Sequence, residues 1–177
     1  MKNIVSLFVC LGFSMAVLAQ ESYRIASESQ LTIDGTSTVH NWTVSANKMK
    51  GSLSLQNGSP AAINFEVTVA DIISERGATM DKKMHAALKK ETHPKVSFVL
   101  EQTKNTAILV GVLVIAGIEK TVEIDAEIET DGSELKIKGE KKIILQDFEI
   151  NPPTAMFGQI IVGDEVSIKF DLIFNRI

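Results

Sequence analysis

The sequence predicts an all-β, antiparallel domain, and three observations carry that expectation. Short segments rich in Val, Ile, Thr and Phe recur along the chain, many alternating apolar and polar residues with period two. Turn-forming pairs, Asn57 with Gly58 and Asp131 with Gly132, fall between such segments and suit hairpins. The intervals leave little room for the crossover helices that a parallel sheet needs.

The chain opens MKNIVSLFVCLGFSMAVLAQ. Lys2 gives a short positive start, residues 4–18 are apolar, and Val17 and Ala19 are small enough for a cleavage site. This predicts a signal peptide cut after Ala19, export to the periplasm or secretion, and one mature domain over residues 20–177. The apolar run is short for a membrane span, and no second one follows. Lipid attachment at Cys10 is the alternative, disfavoured because strongly apolar residues continue after it. With Cys10 removed the mature chain has no cysteine, hence no disulfide or thiol chemistry. The formal charge is −4, and removing Lys2 makes it more negative, which disfavours nucleic acid as a partner.

The strand candidates, in order, are SQLTID, NWTVSA, GSLSLQ, AINFEVTVAD, KVSFVLEQ, AILVGVLVIAG, KTVEIDAEIE, SELKIKG, KKIILQ and EVSIKFDLIF. Phe65, Val67 and Val69 share one face, as do Val96, Phe98 and Leu100. Val122, Ile124, Ala126 and Ile128 repeat the pattern, and Val166, Ile168, Phe170, Leu172 and Phe174 make the longest ladder. One stretch breaks the period. Over residues 79–90, Met80, Met84, Ala87 and Leu88 fall on a helical stripe. Thr79 suits its N-cap, Asp81 its first turn, and Thr92, His93 and Pro94 its end. The expected helix is a lid over one end of the sheet; its apolar stripe is thin for lying on a membrane. Pro152 and Pro153 exclude a central strand in residues 147–158, where Phe148, Met156 and Phe157 would close an end or line an entry.

Such a sheet hides one face as a packed sandwich or as a barrel, and parity alone does not choose. A barrel of about eight strands has an interior that side chains fill or that holds one small ligand. The inward residues here are aliphatic or phenylalanyl, so a guest would be apolar, gaining about 0.8 kcal/mol per buried methylene.

The chemical candidates are few. His40 shares parity with Thr38, Trp42 and Val44, so it reads either as a satisfied side chain beside the single tryptophan or as a partner for a ligand's polar end. A general base would need a proton within reach and a tuned pKa, and no GxSxG surrounds Ser37 or Ser45. His85 reads as a helix boundary residue and His93 as a turn residue. The three histidines have no compact metal-ligand spacing, and carboxylate pairs such as Asp71, Glu75 and Asp81 are weak signals among 22 acidic residues. GVLVIAG lacks the order of a nucleotide loop, and Lys141 and Lys142 read as a solvated edge or turn.

The ordered set LTIDGTSTVHNWTV, MDKKMHAALKKETHPKVSF, GVLVIAGIEKTVEI and DFEINPPTAMFGQIIVGDEVSIKFDL resembles the YceI-like family over nearly all of the mature chain. In the first motif Asp34 is retained, Ser37 stands where the family has histidine, Thr38 replaces its serine, His40 occupies a normally apolar position, and Trp42 takes the aromatic place. Asp81, Met84, Leu88, Pro94, Val96 and Phe98 match the second. The resemblance implies a lipocalin-like barrel of about eight strands with one short helix near residues 80–90. It also implies an elongated apolar cavity holding a polyisoprenoid or quinone-like lipid, and no catalytic residues; from the residues themselves no metal or cofactor is expected. The expected ligand-binding residues are Thr38, His40, Trp42, Val44, Phe65, Val67, Met84, Leu88, Phe98, Phe148, Met156, Phe157, Phe170 and Leu172. An apolar lipid is the expected partner, with a homodimer and transient membrane contact compatible with it. The rivals are an envelope interaction module with a filled core and a histidine-dependent hydrolase or isomerase.

Overall fold

The computed structural model describes residues 21–105 and 107–177. The expected signal segment, residues 1–19 with Cys10, lies outside the described residues. Twelve strands and one helix follow in the order β1 (Glu21–Ile25), β2 (Gln30–Ser37), β3 (Trp42–Ala46), β4 (Met49–Gln56), β5 (Ser59–Thr68), β6 (Ile72–Ser74), α1 (Ala78–Ala87), β7 (Lys95–Lys104), β8 (Ile108–Ile115), β9 (Ile118–Asp131), β10 (Glu134–Ile144), β11 (Thr154–Ala155) and β12 (Ile160–Arg176).

Their pairing makes an eight-stranded antiparallel barrel. Three of its strands are each interrupted once: β1 continues into β2, β3 into β4, and β5 into β6. Ser29 bridges the first interruption, donating from Oγ to the Ile173 carbonyl (3.1 Å) and accepting from the Ile173 amide (2.9 Å). Beyond β5 the order runs β7, β8, β9, β10, β12. β12 closes the ring, pairing with β10 along one edge and with β2 and then β1 along the other. Closure satisfies the backbone that an open sheet would leave exposed.

The local chemistry explains the corners. Asn57 (φ 54°) and Gly58 (φ 77°) both take left-handed backbone in the β4–β5 hairpin, as a tight two-residue turn requires. Gly132 (φ 61°) does the same between β9 and β10.

Three local expectations need correction. SELKIKG and KKIILQ are one strand, β10, because Gly139 lies in the ladder opposite Phe170 rather than in a turn. β1 was not anticipated, although its Tyr23 is only 1% exposed and fills the core. Thr79 does not cap the helix: α1 starts one residue earlier, behind Gly77, whose φ of 86° suits glycine. Asp81 instead accepts the Ser74 amide at 2.7 Å, pinning the first turn of α1 to β6.

The two ends of the barrel differ. The end holding the β4–β5 and β9–β10 hairpins is packed with Tyr23, Leu53, Leu55, Leu135 and Phe174, all buried. The opposite end is covered by α1, whose ten residues include none that is fully buried. Met84, Ala87 and Leu88 rest on the wall residues only in part.

Candidate ligand-binding cavity

Under α1 the barrel holds a cavity of about 470 Å³. Inward-facing residues of β2, β3, β5, β7, β8, β9, β10 and β12 line it, among them Ile33, Val44, Phe65, Phe98, Leu113, Ile124, Ile143 and Phe170. The filled-core alternative therefore fails: the centre is open toward the helix end and packed only at the hairpin end.

Glycines make room for the aromatic lining. Gly35 lies opposite Trp42 in the β2–β3 ladder, and a Cβ on it would come within 2.1 Å of the indole. The ring thus lies flat on the strand, with Nε1 donating to the Thr36 carbonyl at 2.9 Å. Phe170 covers Gly139 in the same way, where a Cβ would meet its ring at 2.7 Å.

Ten of the residues expected to bind ligand line this cavity: His40, Trp42, Val44, Phe65, Val67, Met84, Leu88, Phe98, Phe170 and Leu172. Four are placed elsewhere. The Thr38 hydroxyl faces the neighbouring segment, donating to the Gln159 carbonyl and accepting from the Ile161 amide, both at 3.3 Å. It ties the turn at residues 37–40 to the start of β12. Phe148 is buried in the core without reaching the cavity. Met156 and Phe157 point away into solvent, Met156 63% exposed and Phe157 completely so. Strand parity does not extend into the turn that holds Thr38, and Phe148, Met156 and Phe157 sit in an irregular connection whose residue spacing fixes no direction.

The polar groups gather at the helix end. The Ser37 hydroxyl lies 3.5 Å from His40 Nδ1 and donates to the His40 carbonyl at 2.8 Å, making a compact turn at the mouth. Arg76, Lys83 and Lys141 also line the cavity, and among the described residues no Asp or Glu does. Lys83 Nζ donates to the Thr154 carbonyl (3.2 Å), joining α1 to the β11–β12 hairpin. Lys141 was expected on a solvated edge. It shares the inward parity of Ile137 and Ile143, while Lys142 points out to Glu165. β9 and β10 cease to pair beyond Gly139, and Lys141 Nζ donates across that gap to the Glu123 carbonyl at 2.9 Å. Its aliphatic stem suits an apolar wall. The alternation Leu135, Ile137, Gly139, Lys141, Ile143 carried this information in the sequence.

The other histidines are structural in their contacts. His85 Nε2 meets the Ile72 carbonyl at 2.8 Å, and the His93 ring covers Gly117 in the β8–β9 turn. Hydrolytic chemistry called for a histidine joined to a carboxylate and a hydroxyl; His40 contacts a hydroxyl, and the ring contacts described here run to no carboxylate. Among the described residues no three His, Cys, Asp or Glu side chains are placed to hold a metal ion. No described helix is long and apolar enough to cross a membrane.

Outside the wall, Asp34 accepts from Thr43 (2.6 Å) and pairs with Lys169 (2.9 Å). The Thr43 hydrogen bond and the lysine hold its carboxyl below the usual aspartate value. At the packed end, Tyr23 donates to Glu21 at 2.9 Å and Arg176 pairs with the same carboxylate. Both hold Glu21 below its ordinary value, while burial pushes the Tyr23 phenol up.

Solved structures with this architecture include Burkholderia cenocepacia BcnA, with 20% identity and a TM-score of 0.67, covering 82% of this chain and 95% of that one. A polyisoprenoid binding domain from Saccharophagus degradans, implicated in plant cell wall breakdown, has 9% identity and a TM-score of 0.70, with 88% and 98% covered. The Campylobacter jejuni YCEI protein has 17% identity and a TM-score of 0.65, with 78% and 86% covered. A comparison with curated proteins finds no significant match. The YceI-like domain family matches residues 23–174, from the first barrel strand to the last, and the chain belongs to that family.

Proposed function

We propose that this protein is an exported carrier that encloses the apolar chain of a lipid, a polyisoprenoid or quinone-like molecule, in the lumen of its barrel. The observation that carries the reading is the cavity of about 470 Å³, walled by apolar side chains from every side of the barrel. An empty space of that character is costly in water, and each buried methylene of a guest returns about 0.8 kcal/mol. The likeness to a polyisoprenoid binding domain supports the choice of guest.

The polar end of the guest rests at the mouth, where Ser37, His40, Lys83 and Lys141 supply donors. No catalytic step is assigned to these groups; they orient the guest. Export to the periplasm or beyond is supported by the apolar run over residues 4–18 followed by Ala19. A carrier of this kind loads and unloads by transient contact with a membrane.

The test is extraction and mass spectrometry of lipid from protein purified out of its own host, without detergent. One apolar-chain lipid per barrel is the expected result. Protein that carries no lipid and takes up no added isoprenoid would refute the proposal.

A further inference from the structure

Eight large apolar side chains are exposed among the described residues, and five of them, Val39, Ile144, Met156, Phe157 and Ile161, sit in the segments around the cavity mouth. They come from three separate places: the turn at residues 37–40, the last residue of β10, and the β11–β12 hairpin. Ladder pairing of Ile144 with Glu165 of β12, together with hydrogen bonds, joins these places into one rim. Thr38 binds Gln159 and Ile161 from the turn, and Lys83 reaches Thr154 from α1. The hairpin tip is held in an unfavourable backbone: Met156 (φ 51°) and Phe157 (φ 57°) both occupy the left-handed region that favours glycine. The effect is to present Phe157 wholly to solvent, between Pro153 and Ile160, which line the cavity.

We propose that this rim is a membrane-docking surface: Phe157 and Met156, with Val39 and Ile161, insert into the lipid bilayer and set the cavity mouth against it. The surface deepens the carrier reading above and rests on it for its purpose, since an apolar lipid then passes from bilayer to lumen without crossing water. The occupant follows from the geometry. Three of the five apolar groups, Met156, Phe157 and Ile161, are on the β11–β12 hairpin, and Val39 and Ile144 stand apart from them around a hole, where a protein partner would bury a continuous packed face. Arg76, Lys83 and Lys141 line the cavity while no described Asp or Glu does, so the charge facing the mouth is positive and suits anionic head groups.

The test is flotation of the full mature chain with vesicles of phosphatidylethanolamine and phosphatidylglycerol. Phe157→Glu and the double variant Met156→Glu/Phe157→Glu are compared with Val99→Glu, which alters an exposed apolar residue on the barrel flank. Binding of the neutral fluorophore N-phenyl-1-naphthylamine, measured without vesicles, reports the cavity separately. The expected result is that Phe157→Glu weakens vesicle binding about tenfold or more, the double variant abolishes it, and Val99→Glu leaves it unchanged. All three should bind the fluorophore as the unaltered protein does. Unaltered protein that never floats, or a double variant that floats as well as its parent, overturns the proposal. So does a finding that the rim variants only dissolve a dimer, which would make the surface a contact between copies. Retained flotation in a protein that binds no fluorophore supports the docking surface and sinks the cavity reading alone.

Discussion

Replacing Gly35 by alanine places a methyl group where the Trp42 ring now lies. The new Cβ would stand 2.1 Å from Cζ2, 2.5 Å from Cε2 and 2.7 Å from Cη2 of the indole. Carbon atoms rest about 3.5–4.0 Å apart, so the ring must retreat by roughly 1.4 Å. The strand lies behind the glycine, and the free direction is into the cavity. Crowding of this kind costs about 1–3 kcal/mol, and moving the ring breaks the 2.9 Å bond from Nε1 to the Thr36 carbonyl, about another 1 kcal/mol. At about 2–4 °C per kcal/mol for a domain of this size, melting should fall by about 4–16 °C. Because Trp42 is the single tryptophan, its emission reports the same event without a label, and a blue shift is expected as the indole loses its hydrogen bond and moves into the apolar lumen. The displaced ring also occupies lumen, so affinity for a long apolar guest should fall. Unchanged melting together with unchanged emission would refute the account of Trp42 as a ring pressed on Gly35.

Three further outcomes follow from the same geometry. Phe148→Ala removes a fully packed side chain and should cost about 3–5 kcal/mol in chemical denaturation; Phe170→Ala, whose ring already borders empty space, should cost less and instead change which guest lengths bind. Asp34, held below its usual value first by Thr43 and then by Lys169, contributes stability in full above the unfolded aspartate value of about 3.9. That contribution is lost as pH falls through the lowered folded value, so the melting gap between the parent and Asp34→Asn should close on acidification and stay open at neutral pH. His85→Ala removes the bond to the Ile72 carbonyl, worth about 1 kcal/mol. Hydrogen exchange within α1 and guest release should therefore each speed up by about fivefold, with the hairpin end unaffected.

The wall of the barrel was legible because its information is local. Val166, Ile168, Phe170 and Leu172 alternate with charged or polar neighbours, and any burial of one face puts them on it. Asn57 with Gly58 marks a turn by its own backbone preferences. The rim was harder to read. Thr38, Phe148, Met156 and Phe157 sit in turns or irregular segments, where residue spacing no longer fixes direction. Phe148 turned inward to the core and Phe157 outward to water, although both are phenylalanines in one connecting segment.

Composition and alternation by themselves determined that this chain forms an antiparallel β domain with an apolar interior and a short amphipathic lid. Only the tertiary structure decided that the interior stays open at one end, that Lys141 turns into it, and that Phe157 stands outside its mouth. Alternation assigns a face residue by residue. Whether the space behind that face is filled depends on how eight strands close and tilt together, and on which rings find a glycine to lie against.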